Sequence, residues 1–201
     1  TTAFQNEHSR TYQIGGWYDA ATYTDPVDDD LGGLAVLSGR PHATRHGRSG
    51  AYFSLDQVVW RPTGDAERSL RLFGLVMVKV SGRVNEDRFL QFGLVQTGTF
   101  PGRRTDSVAF VINDQTFSRL ALHNIRAARA SRGNTDDLPR HQIMMELAYG
   151  IQINANLRIS PNIHYIINPD QLADPFRTQH VRNVLAIGLR FGVEVPLLKA
   201  S

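Results

Sequence analysis

The sequence predicts an all-β, antiparallel fold, and three observations carry that expectation. Segments of roughly ten residues alternate apolar and polar side chains with period two along most of the chain. Clusters rich in Gly, Pro, Asp, Asn and Arg separate them. The longest charge-free apolar run is Leu72 to Val78, whereas a membrane-spanning helix needs about 20 residues. Strands that alternate need no such run, so a membrane β-barrel stays open while a helical span does not.

Eight strands are expected in order. The first is Tyr12 to Tyr23 and the second Gly50 to Arg61. The third runs from Leu70 to Arg83, with Leu72, Gly74, Val76, Val78 and Val80 on one side and Arg71, Phe73, Leu75, Met77 and Lys79 on the other. The fourth is Phe89 to Thr97 and the fifth Ser107 to Phe117. Ser118 to Arg132 carries Ala, Leu and Arg at helix-compatible spacing, so 118–141 reads as a long loop with room for a short helix. The sixth strand is Gln142 to Asn154 and the seventh Leu157 to Ile167, where Pro161 points to an edge strand or a kink. The eighth is Asn183 to Val195, with Leu185, Ile187, Leu189, Phe191, Val193 and Val195 sharing a face.

Two environments produce this pattern. In a soluble antiparallel sandwich the apolar face meets a core and the polar face meets water. In a membrane barrel the apolar face meets lipid and the polar face a lumen. Periodicity alone leaves both open. Length leans toward the membrane, because membrane strands need about 9–11 residues and an ordinary globular strand about 5–6.

Composition narrows the function classes. The 201 residues contain no Cys, and 22 Lys+Arg stand against 19 Asp+Glu. Disulfide scaffolds, Cys-ligated zinc and thiol nucleophiles are therefore excluded. Charge runs are short and mixed in sign, which gives no nucleic-acid-binding arm. No nucleophile elbow, phosphate loop or dinucleotide fingerprint is present, so no enzyme and no cofactor is expected. His42 and His46 sit in a Pro/Gly/Arg-rich stretch that reads as a loop rather than a metal site. Asp25 to Asp30 reads as a solvated loop without the twelve-residue calcium pattern. The chain begins at Thr1 without a basic-then-apolar leader, which reads as a processed or truncated product.

Several phrases, in order, resemble a known family. Ile14-Gly15-Gly16-Trp17-Tyr18-Asp19 resembles the "GGWYD" strand of the carbohydrate-selective porins of the OprB family. Gly50 through Asp56-Gln57-Val58-Val59-Trp60-Arg61 resembles the strand after it, and Leu72-Phe73-Gly74 its "LFG" strand. Phe92-Gly93-Leu94-Val95 with Phe100-Pro101-Gly102-Arg103-Arg104-Thr105-Asp106 resembles its "P-G-R-x-x-D" passage. Glu146-Leu147-Ala148-Tyr149 and Ile159 through Pro169 resemble its "E-x-x-Y … P-x-x-Q-Y-I-x-N-P" region, with His164 in place of the Gln. Ala186-Ile187-Gly188-Leu189-Arg190 resembles its last strand.

The resemblance implies an antiparallel outer-membrane β-barrel. Residues 1–201 would be a single barrel domain or the C-terminal half of one, with about eight strands of a sixteen-stranded wall. It implies a passive channel for sugars such as glucose in the bacterial outer membrane. Its partners would be sugars, outer-membrane lipid, the N-terminal half of the barrel or another chain, and further copies in a homo-oligomer. The alternative is a soluble β-sandwich or barrel module that binds carbohydrate or another small ligand. In the barrel reading the alternation nominates Asp19, Asp56, Arg71, Lys79, Gln91, Glu146, Arg158, Asn162, His164, Arg190 and Glu194 as pore-lining residues. Trp17, Tyr52 and Trp60 are nominated as aromatic faces for a sugar ring. Each charged residue also has a plainer reading as a wall ion pair, and each aromatic one as an interface-girdle residue.

Overall fold

A computed structural model describes residues 9–65, 67–169, 172–179 and 181–194. It contains eight strands: β1 (Arg10–Asp29), β2 (His42–Trp60), β3 (Ser69–Ser81), β4 (Glu86–Thr97), β5 (Ser107–Phe117), β6 (His141–Asn154), β7 (Leu157–Ile167) and β8 (Val184–Val193). A short helix α1 (Ala35–Ser38) follows β1, and α2 (Arg119–Ala130) lies between β5 and β6. The strands form one sheet in sequence order. Every neighbour is antiparallel. No second sheet packs on either face among the described residues, so the sandwich expectation does not hold for this chain. The expected end of the last strand at Val195 and the tail 196–201 lie outside the described residues.

Residues paired across antiparallel strands share a face, so the register can be followed across the sheet. Tyr12, Leu55, Gly74, Phe92, Ile112, Met145, Tyr165 and Leu185 form one continuous row. Its neighbours along each strand complete an apolar belt that none of the described residues covers. Ile14 is 87% exposed, Ile187 79% and Leu185 65%. An apolar surface of this continuity marks a membrane or protein interface rather than a water-facing surface. The strands also exceed the usual globular length of about 5–6 residues, the shortest having 10.

The conventional core is displaced to one end. Phe117, Leu122, Ile125 and Leu138 form a buried cluster that Leu172 abuts. Helix α2 supplies it because Ala121, Leu122, Ile125 and Ala128 fall on one side at helical spacing. The Ser118 hydroxyl caps the helix by accepting from the Ala121 N–H at 3.1 Å. Helix α2 touches both β1 and α1. Four inter-strand steps of about 4.8 Å separate β1 from β5, and twelve helical residues span about 18 Å. The segment 118–140 is therefore long enough to reach back over the end of the sheet.

Three sequence expectations are corrected. The stretches 25–29 and 42–46 are not solvated loops, because β1 and β2 run through them, paired at Thr24↔Thr44 and Asp29↔His42 around an irregularity; Asp30 alone lies beyond the strand. Asp25 there is fully buried. It accepts from the Val27 N–H at 2.9 Å and the Arg45 Nε–H at 2.8 Å, and it ion-pairs with Arg83 at 2.7 Å. Finally, β7 is not an edge strand, since it lies between β6 and β8. Pro161 instead interrupts one ladder: β6–β7 pairing runs to Ala148↔Asn162 and resumes at Ile151↔Ile159, as the missing N–H requires.

At the opposite end, Asp106 ties the turn 98–106 to β6. Its buried carboxylate accepts from Tyr149 Oη–H at 2.6 Å, the Gln152 N–H at 2.9 Å and Arg103 Nε–H at 2.7 Å. Burial pushes this carboxyl up, but those three bonds and the Arg103 charge outweigh it and hold it below the ordinary carboxylate range.

Candidate functional site

The face opposite the apolar belt carries the polar chemistry. One row across it reads Thr11, Asp56, Phe73, Gly93, Val111, Glu146, His164 and Ala186. The next reads Val58, Arg71, Val95, Ala109, Ala148, Asn162 and Gly188. Trp17 and Asp19 share this face through strand periodicity, and Lys79 through its pairing with Gly50, itself opposite Trp17. Arg158 pairs with Gln152, and Arg190 with Ser160, on the same side. Gln91 and Tyr52 join them. Trp60 does not: it pairs with Leu70, which belongs to the apolar row set. The Arg68 guanidinium sits 5.9 Å from the Trp60 ring centre near the strand end, the arrangement of an interface aromatic.

The charged residues of this face are matched locally. Asp19 accepts from Arg48 Nε–H at 3.0 Å. Asp56 takes Arg71 in a two-bond fork, with the Nε contact at 2.6 Å. Lys79 Nζ lies 2.6 Å from Asp87, whose other oxygen accepts from Arg140 at 3.0 Å. Glu146 stands 3.7 Å from Arg190 and 3.8 Å from His164. Asn162 donates to the Ser160 carbonyl at 3.2 Å, which turns its own oxygen toward His164 Nε2 at 2.9 Å. Arg158 donates to the Ser107 hydroxyl. The charge of this face is mostly neutralised in place, with donors and acceptors on neighbouring strands.

Glycines shape the same wall. A Cβ on Gly50 would lie 2.7–2.9 Å from three adjacent atoms of the Trp17 indole, and one on Gly15 would lie 2.6–2.7 Å from the Tyr52 ring. Phe73 likewise covers Gly93. Each ring therefore rests on the backbone of the adjacent strand instead of projecting freely.

Sequence reasoning missed Asp87, Arg48 and Arg140. Asp87 keeps the alternation of Phe89 and Gln91 but precedes the expected start of the fourth strand at Phe89, because β4 begins at Glu86. Arg48 falls in the extended arm taken for a loop, and Arg140 precedes β6. Among the described residues, no group of three or more His, Cys, Asp or Glu is placed to hold a metal ion. No helix is long and apolar enough to cross a membrane.

Comparison with known proteins bears directly on this wall. The model of the carbohydrate-selective porin, OprB family, matches residues 7–194. Porin B of Pseudomonas aeruginosa is 28% identical over 190 residues, covering 89% of this chain and 40% of that protein. The high-pH structure of Pseudomonas putida OprB superposes with a TM-score of 0.77 at 25% identity, covering 92% of this chain and 44% of the other. The chain thus spans less than half the length of the relatives it matches.

Proposed function

The chain belongs to the carbohydrate-selective porin, OprB family, and from that premise we propose that it forms part of the wall of a passive outer-membrane channel for sugars such as glucose. One observation carries the reading: a single sheet with an uncovered apolar belt on one face and a mutually neutralised, hydroxyl-compatible polar surface on the other. The first face suits acyl chains and the second an aqueous lumen. Asp19, Asp56, Arg71, Lys79, Glu146, Arg158, Asn162, His164, Arg190 and Trp17 line that lumen in this reading. A polyhydroxylic solute exchanges hydrogen bonds with paired donors and acceptors as it moves, and pore width with lining charge sets selectivity. Movement is down the concentration gradient, without nucleotide or metal.

Size makes a further demand. An eight-stranded barrel is filled by its own side chains, while about sixteen strands enclose a channel. Unpaired strand edges in lipid cost several kcal/mol per backbone group. The wall is therefore completed by strands of the same kind, from the rest of a longer chain or from another copy. The connections 30–41, 82–85, 118–140 and 168–183 belong to one end, all but 82–85 longer than the turns 61–68, 98–106 and 155–156 of the other. By the usual asymmetry of such barrels the first set faces outside and the second the periplasm.

Reconstitution of the completed barrel, from the longer chain or from assembled copies of this one, in planar bilayers tests this. Discrete conductance steps that glucose partly blocks are expected. A monodisperse, detergent-free monomer that produces no steps would overturn the reading in favour of a soluble ligand-binding module.

A further inference from the structure

We propose that Trp17, Lys79 and Asp87 form a subsite for the ring of a neutral hexose on the polar face of β1–β4. The proposal rests on the channel reading above and names where within the wall a sugar pauses. The cavity there measures about 380 Å³, within the roughly 300–1,000 Å³ of small-ligand sites. Trp17, Met77, Lys79, Asn85, Asp87 and Phe89 line it.

The geometry gives each group a task. Indole Nε1, Cε2 and Cζ2 lie at nearly equal distances, 2.7, 2.8 and 2.9 Å, from the position a Gly50 Cβ would take. This edge of the ring is thus seated against Gly50, and Trp17 also lines the cavity. Lys79 is the residue paired with Gly50 on the far side, and it lines the same cavity as Trp17. Asp87, 2.6 Å from Lys79 Nζ, sets an acceptor against that donor.

A hexose ring has apolar C–H faces and a rim of hydroxyls, each both donor and acceptor. An indole lining the cavity together with an ammonium and a carboxylate offers a partner for both aspects. Charge favours the neutral sugar. Lys79 and Arg140 already flank the two Asp87 oxygens, so a free cation meets two positive groups and an anion meets the carboxylate.

The sequence has two Trp, so Trp60→Phe leaves Trp17 as the sole indole. The chain in detergent is titrated with D-glucose and, separately, with sorbitol, an open-chain polyol without a ring face. A saturable change in Trp17 emission with glucose and none with sorbitol is expected. Lys79→Met should raise the glucose midpoint about tenfold, the loss of one hydrogen bond to a charged group. A flat glucose titration, or an equal response to sorbitol, overturns the subsite. If Trp60→Phe does not fold, the unaltered chain with Trp17→Phe as its blank gives the same reading. Bilayer recordings separate the two levels. Glucose block with silent Trp17 emission removes the subsite and leaves the channel, whereas absence of conductance from the completed barrel removes the channel reading on which the subsite stands.

Discussion

Asp106 shows how one buried carboxylate can set the acid limit of a turn. Its folded-state pKa is depressed, so its contribution is complete above the ordinary carboxylate value and disappears as pH falls through the folded one. Thermal unfolding should be nearly flat from neutral pH down to about 5 and should fall below about pH 4. Asp106→Asn should cost about 1–3 kcal/mol at neutral pH by leaving poorer acceptors for Tyr149 and Gln152, and should flatten the acid limb. On the polar face, Arg190→Ala would leave Glu146 with only His164, at 3.8 Å. Reversal potentials in a salt gradient should then shift toward cation selectivity, with Arg190→Lys restoring much of the original value. Most of the expected wall residues were legible because period-two alternation needs only the strand assignment. Trp60 was not, because irregular pairing beside it breaks the count that alternation relies on, and Asp87 was not, because β4 begins before Phe89.

At the scale of elements, the strands were readable wherever both faces kept their character. β5 and β7 match their expected limits, Ser107–Phe117 and Leu157–Ile167. The paired arm of β1 and β2 was not readable, since Asp, Pro, His and Arg there carry turn-like composition. Its stability comes instead from an ion-pair knot: Asp25 and Asp28 each meet both Arg45 and Arg83. Such a knot depends on residues distant in sequence, which local pattern does not register. Helix α2 was half-legible, its spacing present but its partner surface unknown. Leu122→Ala should remove about 2–5 kcal/mol of local packing, seen as faster amide exchange in 118–140 with little change in β3–β5. Gly50→Val should displace the Trp17 indole and destabilise the β1–β2 pair by about 1–3 kcal/mol, visible as a lost near-ultraviolet dichroism signal.

For the molecule as a whole, the decisive property is that hydrophobic burial is postponed. The belt that includes Ile14, Leu185, Ile187 and Phe191 is exposed, so the chain by itself presents to solvent what most folds hide. Removing detergent should cause association and precipitation, and the folded form should run faster than the boiled form in gel electrophoresis. Equal mobility before and after boiling would contradict a stable sheet of this kind. Periodicity established the two faces but could not name the medium on each side. The single-layer topology removes the sandwich, because among the described residues no second sheet meets the belt.

The seats of Trp17 over Gly50 and Tyr52 over Gly15 have a consequence for how the first hairpin finds its alignment. A slip of one residue is rejected by hydrophobicity, since it exchanges inside for outside. A slip of two keeps every greasy side chain where it belongs, so oil and water cannot detect it. Shape can: shifted one way, Trp17 would land opposite Tyr52, and shifted the other, Gly15 would face Gly50 across a void. The bulky–tiny alternation thus acts as a proofreading code, reading the very error to which long alternating ribbons are otherwise blind.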